Sequence, residues 1–415
     1  PDFLMADEPK VTLGPGFYVF NWNGTGVELR LDHIRQHGET LSAEFQASIQ
    51  EHYFYGADRL SLTNGEARTK LAKRLSGLPE GSQFQWQAML DWAAQATLDK
   101  QRAGEPFQEV GTLPMRKSIP WLLEPLLPAN HPTILFGEGG IGKSTVAELL
   151  GICVCTGWGE KLGLKVATRG PVLFLDWESA SEDINDALKE FEAGLKLDIT
   201  PSFIYRFCSQ PFLDDIEAIQ EEVFRSKVAL VIIDSAIPAL GGAKEGKENA
   251  EALFQGLRSL KTTSLIISHE TKDQLQKKRT PYGDVFFWNR ARMIWHLRGD
   301  PEQEGDNMEL GLWNVKANLT RRQRPWGLRL TRDDLGCISA ARFDLQKSEA
   351  MSKHLSVPSQ IQGELHNGPL TTKELWLRLK ENAVSQETIG RTLRRLKNKL
   401  FVLLEGDRWA NVSYQ

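Results

Sequence analysis

Gly137-Glu138-Gly139-Gly140-Ile141-Gly142-Lys143-Ser144-Thr145 decides how the rest of the chain is read. The stretch satisfies the spacing G-x-x-x-x-G-K-[ST]. The apolar run Thr133-Ile134-Leu135-Phe136 leads into it, and Val146 to Cys155 reads as an amphipathic helix leading out. Strand, glycine loop and helix together wrap backbone N–H groups around phosphates at a helix N-terminus. Gly137, Gly139, Gly140 and Gly142 let the main chain come close and adopt unusual dihedrals. Lys143 brings an ammonium to the β- and γ-phosphates, and the Ser144 hydroxyl reaches Mg2+. Residues 137–145 are therefore the expected binding residues for a nucleoside triphosphate with Mg2+.

Around the loop, apolar runs alternate with helical stretches. Strands are expected at 133–136, 172–176, 203–207, 229–234, 264–268, 293–297, 309–316 and 327–331. The alternation predicts an α/β fold with a mostly parallel, doubly wound sheet, and the short late connections predict an antiparallel extension. Two strands end in an aspartate, at the end where such sheets bind ligands. One reads Val172-Leu173-Phe174-Leu175-Asp176-Trp177-Glu178 and the other Leu230-Val231-Ile232-Ile233-Asp234-Ser235. Asp176 and Asp234 compete for the metal-holding role.

The 415 residues call for two or three domains. Residues 1–112 read as an α+β domain, with alternating strand patterns near 14–63 and helical runs at Gly65–Leu75 and Phe84–Arg102. Pro114–Pro132 reads as a covering linker, and 113–345 as the central domain. Residues 346–415 begin with a polar stretch. Thr371-Thr372-Lys373-Glu374 then opens a helix as a capping box, and Ser385 caps a second helix to about Lys399. Two short strands follow, around the turn at Glu405-Gly406-Asp407. Helix, helix and ribbon resemble a winged helix-turn-helix.

The balance of 50 basic against 54 acidic residues gives net −4, so any nucleic-acid contact must come from local patches. Cys153, Cys155, Cys208 and Cys337 lack metal-ligand or disulfide spacing, which fits a reducing cytoplasm. No apolar stretch is long enough to span a bilayer, and no signal-peptide core is visible. A cytoplasmic protein with no membrane partner is expected, with Met5 as its natural start.

Asp176-Trp177-Glu178 resembles the Asp-x-Glu of RecA-like ATPases, and Asp234-Ser235 their Walker B ending. Ser268-His269, the block Gly283 to Arg292, Val315-Lys316-Ala317-Asn318 and Gly327-Leu328-Arg329-Leu330 resemble plasmid RepA-type hexameric replicative helicases over roughly residues 115–335. The resemblance implies an ATP-hydrolysing, hexameric ring with a RecA-like core. Glu178 would polarise the attacking water, Asp234 would hold Mg2+ and His269 would sense the γ-phosphate. Arg292 would act as an arginine finger on the neighbouring subunit's nucleotide. Lys316 stands where DnaB-type helicases carry a Lys-x-Arg pair with a similar role, but this chain reads Lys316-Ala317-Asn318, and Arg321, Arg322 or Arg324 could substitute.

Two loops after the Walker B and sensor strands face the channel in this family, and single-stranded DNA would meet them. The first carries Lys244 and Lys247; the second carries Lys272, Lys277, Lys278 and Arg279, with Tyr282 to stack a base. In the winged helix, Arg391, Arg394 and Arg395 form one helical surface, with Arg408 at the wing, and would meet duplex DNA. Residues 1–112 would serve a primase, an initiator or oligomerisation. The activity expected is that of a replicative helicase of a plasmid, phage or mobile element. Two alternatives are an ATP-switched DNA-binding regulator or recombination mediator, and a mobile-element defence ATPase.

Overall fold

The structure is a computed structural model describing residues 8–14, 16–104, 107–112, 114–116, 118–199, 202–241, 247–270, 280–281, 284–300 and 306–412. Two compact units make up the chain. One contains Pro1–Ser118 and Phe212–Val228; the other contains Ile119–Pro211 and Ala229–Gln415.

In the first unit, β1 (Lys10–Gly14), β2 (Phe17–Trp22), β3 (Val27–His37), β4 (Thr40–Ile49) and β5 (His52–Ser61) form an antiparallel meander in chain order. Side chains alternate between its faces, so Phe20, Leu29, Leu31, Ala43, Phe45 and Ala47 share a buried face. They pack on Leu71, Leu75, Trp86, Met89, Leu90 and Ala93 of α1 (Gly65–Ser76) and α2 (Trp86–Ala103). Asn64 caps α1 by accepting from the Glu66 amide at 2.9 Å. The helix Ile216–Arg225 belongs to this unit. Glu221 lies 3.0 Å from Arg30, Glu217 lies 2.9 Å from His33, and Phe224 meets Phe17 edge-on.

The second unit begins with a hairpin, β6 (Trp121–Glu124) and β7 (Leu127–Pro128), within the stretch read as linker. Its prolines punctuate the chain, but Leu122, Leu123, Leu126 and Leu127 are buried in the main core. The large sheet takes β8 (Pro132–Gly137), then α3 (Lys143–Thr156), the short β9 (Lys165–Val166), β10 (Val172–Asp176), α4 (Ser181–Leu195) and β11 (Phe203–Phe207). The helix Ile216–Arg225, here α5, precedes β12 (Leu230–Asp234), α6 (Ala236–Ala239), α7 (Lys247–Ser259), β13 (Thr263–His269), α8 (Asp284–Arg290) and β14 (Met293–Gly299). β15 (Asn307–Ala317), β16 (Trp326–Arg332) and β17 (Ile338–Phe343) complete it.

The strand order is β11-β10-β12-β13-β8-β14-β15-β16-β17. The first six are parallel and the rest antiparallel, which is the mostly parallel core expected. Each of the eight expected strands is present within two residues of its expected bounds, and β17 is additional. α3 differs from expectation in one respect: every residue from Val146 to Val154 is buried, so the helix is enclosed rather than amphipathic.

The C-terminal part of this unit contains α9 (Glu349–Ser352), α10 (Val357–Glu364), β18 (Leu370–Thr371), α11 (Thr372–Leu379), α12 (Gln386–Arg395), β19 (Phe401–Leu404) and β20 (Arg408–Asn411). The three strands pair antiparallel in the order β18-β20-β19. The Thr371–Glu374 capping box forms reciprocally at 2.7 and 3.2 Å, and Ser385 accepts from the Thr388 amide at 3.2 Å. α12 stops at Arg395, short of Lys399, and Asn398 is left-handed at φ 62°. Among the described residues no helix is long and apolar enough to cross a membrane.

Gly194 explains how β17 fits against α4. A Cβ at this position would lie 2.1 Å from the Ile338 carbonyl oxygen. Alanine favours a helix over glycine by about 1 kcal/mol, but overpacking costs about 1–3 kcal/mol. Gly194→Ala is expected to lower the urea midpoint; a raised midpoint would contradict this packing.

Candidate nucleotide site

The parallel strands bring their C-terminal ends to one edge of the sheet, and the site is assembled there. β8 delivers the glycine loop, and Gly142, at φ 87°, turns the chain into α3. A left-handed residue at this turn is why the motif needs glycine. Lys143 is buried, and its Nζ donates to the Glu138 carbonyl at 2.7 Å. Burial pushes the ammonium's pKa down, while Asp234, Glu178 and Glu270 pull it back up.

Asp176 and Asp234 are register partners on adjacent strands, and their hydrogen bonds separate them. Ser144 Oγ donates to Asp234 Oδ2 at 2.5 Å. Asp176 Oδ1 instead accepts from the amides of Glu178 and Ser179, at 2.9 and 3.2 Å, and so shapes the loop that presents Glu178. Ser235 Oγ donates to Glu178 Oε1. The Ser144 hydroxyl and Asp234 carboxylate are hard oxygen donors side by side, the set Mg2+ takes. Burial, and then Glu178 and Asp176, push the Asp234 carboxyl up to about 6, against the lowering effects of Ser144 and Lys143.

His269 ends β13 beside Gly137, the first residue of the loop. Arg292 and Lys316 lie elsewhere. Met293 pairs with Thr133 at the start of β8, so Arg292 is at the opposite end of the strand from the loop. That strand length is about 13 Å. Ile294 pairs with Lys316, which brings both expected finger positions to the same edge. Lys316 donates to the carbonyls of Trp288 and Asn289, and burial followed by Arg292 lowers its pKa. Arg292, Arg321, Arg322 and Arg324 are exposed and make no ion pair among the described residues.

Lys244, Lys272, Lys277, Lys278, Arg279 and Tyr282 lie outside the described residues, as does the side chain of Lys247. On α12, Arg391, Arg394 and Arg395 are exposed, while Ile389, Thr392 and Leu393 face the core. Arg391 pairs with Glu387 at 2.6 Å, and exposed Arg408 opens β20.

One acid at the site escaped the sequence reading. Glu148 lies in α3, is 4% exposed, and is electrostatically coupled to Asp234, Asp176 and Glu190. Burial first, then those carboxylates, push it up to about 8. The available signal was its position in a fully apolar helical run, which leaves it no solvent-facing side.

Residues 102–275 match the family model for the AAA domain. None of the curated proteins searched matches the chain. A similar solved structure is the KaiC-like protein PH0186 from Pyrococcus horikoshii OT3, with 16% identity over 54% of this chain and 94% of that chain. The TM-score is 0.39. The family match over residues 102–275, the phosphate loop and the strand order support a RecA-like P-loop ATPase core in the central sheet.

Glu148 yields a stability prediction. A carboxyl raised from 4.5 to about 8 binds its proton more tightly when folded, so stability is lost as pH rises from 4.5 through 8. Near neutral pH the cost is on the order of 3 kcal/mol. Glu148→Gln removes the titration and keeps the shape. Its Tm advantage over wild type is expected to widen between about pH 5 and 8. A gap independent of pH would show that Glu148 is not held protonated.

Proposed function

We propose that the chain is a ring-forming, ATP-driven DNA motor: a hexameric replicative helicase whose ATP sites are shared between adjacent copies. The carrying observation is that Arg292 and Lys316 share an edge at the far end of β8 and β14 from the chain's own phosphate loop. Exposed arginines there are available to a neighbouring copy's nucleotide, where a finger contributes about 10³–10⁵ in rate.

In this reading Lys143 binds the β- and γ-phosphates, and Glu178 orients the attacking water. His269, beside the loop, responds to the γ-phosphate. Ser144 and Asp234 hold Mg2+, which when bound neutralises charge on the phosphate oxygens. Lys244, Lys247, Lys272, Lys277, Lys278 and Arg279 track single-stranded DNA through the channel. Residues 346–415 form a winged helix, a reading supported by the order α10-β18-α11-α12-β19-β20 and by the outward Arg391, Arg394, Arg395 and Arg408. The winged helix engages duplex DNA. Residues 1–112 form a separate domain that receives a primase or initiator.

Mixing variants tests the shared site. Lys143→Ala removes the loop cation, and Arg292→Ala lowers turnover by about 10³-fold or more. In a mixed ring the Arg292→Ala subunit keeps an intact loop and receives Arg292 from a Lys143→Ala neighbour. An equal mixture is expected to regain ATPase activity at about a quarter of its interfaces. Wild type is expected to separate a forked duplex with ATP. A silent mixture removes the shared site, and hydrolysis without strand separation on either fork polarity favours an ATP-switched regulator.

A further inference from the structure

Beside the phosphate loop, a line of polar side chains runs from the end of β13 to the start of the C-terminal part. Glu270 follows His269, and its amide donates to the Gly137 carbonyl at 3.1 Å. Its carboxylate Oε2 lies 3.4 Å from Nε2 of His296, and both side chains are buried. His296 stacks on Phe136, its register partner on β8, with ring centroids 4.4 Å apart. Arg298 Nε donates to Nδ1 of His296 at 3.3 Å, and Arg298 Nη1 also meets Nδ1 of His354, just beyond α9. Met351 of α9 is buried against Phe343 and Leu345, so this helix is fixed to the sheet.

The chemistry fixes the direction of this line. A guanidinium can only donate, so Nδ1 of His296 must present its lone pair to Arg298. The ring proton is then on Nε2, the nitrogen 3.4 Å from the Glu270 carboxylate. Nδ1 of His354 is likewise an acceptor. Two imidazoles in defined tautomers, buried His296 and exposed His354, are joined by one arginine and respond as a unit because chained hydrogen bonds polarise one another.

The loop end of the line is sensitive to phosphate. The Lys143 ammonium donates to the Glu138 carbonyl, and Glu270 is one of the carboxylates acting on it. A bound triphosphate draws that ammonium to itself and adds negative charge beside Glu270. Glu270 then depends more strongly on His296 Nε2–H. A cavity of about 300 Å³ lined by Glu138, Ile141, Glu270, His296, Lys353 and His354 leaves room for the adjustment.

We propose that Glu270, His296, Arg298 and His354 are positioning residues forming a relay of one electrostatic contact and two hydrogen bonds, through which occupancy of the phosphate loop sets the order of α9 and the segment that follows it. This inference rests on the reading of the loop as an ATP site. It assigns to Arg298 and His354 a role outside hydrolysis itself: nucleotide state reaches residues 349–365 through them.

The test uses the full chain, a non-hydrolysable ATP analogue with Mg2+, and two separate readouts. Fluorescent-analogue anisotropy reports nucleotide affinity, and amide hydrogen exchange reports the order of residues 349–365. In wild type the analogue is expected to slow exchange there by about tenfold, within the usual range of coupling between sites. Arg298→Gln and His354→Leu are expected to abolish that change while altering nucleotide affinity less than about twofold. His354→Asn keeps an acceptor near the Nδ1 position and is expected to restore it. A folding defect would instead raise exchange across the chain with or without nucleotide, and that outcome for both Arg298→Gln and His354→Leu counts against the relay. Absence of nucleotide binding by wild type overturns the ATP-site reading and the relay with it. Binding without a change at 349–365, or an unchanged response in Arg298→Gln, overturns the relay alone.

Discussion

Lys143 is buried with its ammonium on the Glu138 carbonyl, and the carboxylates of Asp234, Glu178 and Glu270 act on it. Everything at this end of the sheet follows from that charge balance. Parallel strands in register cannot avoid bringing Asp176 beside Asp234, and α3 adds Glu148 from the adjoining layer. Several acids share a poorly solvated space, so burial and mutual repulsion hold Glu148 and Asp234 above the usual carboxylate range. Hydrogen bonds from Ser144 and from the amides of the 176–179 turn keep the arrangement together. Such a site favours a ligand that brings a cation to the acids and phosphates to the lysine.

The direction of the strands separates two kinds of positive charge. Lys143 is committed to the loop and enclosed by it. Arg292, with Lys316 beside it, is at the start of β14, and Arg321, Arg322 and Arg324 follow in the connection after β15. The sheet is rigid over that length, because β8 is buried along every residue between the two ends. A cation at the far edge therefore cannot be brought to its own loop by a side-chain rotation. This separation is what the proposed shared site requires: one chain would carry both halves of the chemistry and hold them a strand length apart.

Much of this was legible in the sequence because parallel-sheet strands are buried on both faces and stand out as apolar runs. The runs ending at Asp176 and Asp234 and those around Ile134 and Ile266 have that form. β17 lacks it: Ile338-Ser339-Ala340-Ala341-Arg342-Phe343 buries little beyond its two ends, since it is an edge strand. The hairpin at 121–128 was obscured by its prolines, although its leucines are core residues. α3 reads as amphipathic in sequence, yet it is enclosed on all sides and its one acid from Val146 to Cys155, Glu148, is buried with the rest. Sequence placed two aspartates in competition, and only the register and the Ser144 hydrogen bond distinguish them.

The residues that escaped reading share one property. Glu148 and His296 are single polar side chains inside apolar stretches, and each was absorbed into the pattern of its element. An isolated polar residue at a core position must be paired or uncharged, or the interior would not tolerate it. Glu148 meets that condition through burial, which raises its carboxyl to about 8 and favours the protonated form. His296 meets it by accepting from Arg298 at Nδ1 and by a 3.4 Å contact of Nε2 with the Glu270 carboxylate, while its face stacks on Phe136. A polar residue that interrupts a buried strand next to a phosphate loop thus implies partners on both sides of it. Here those partners extend from the end of β13 to His354, so the C-terminal part of this unit meets the nucleotide end of the sheet through chemistry rather than apolar packing alone.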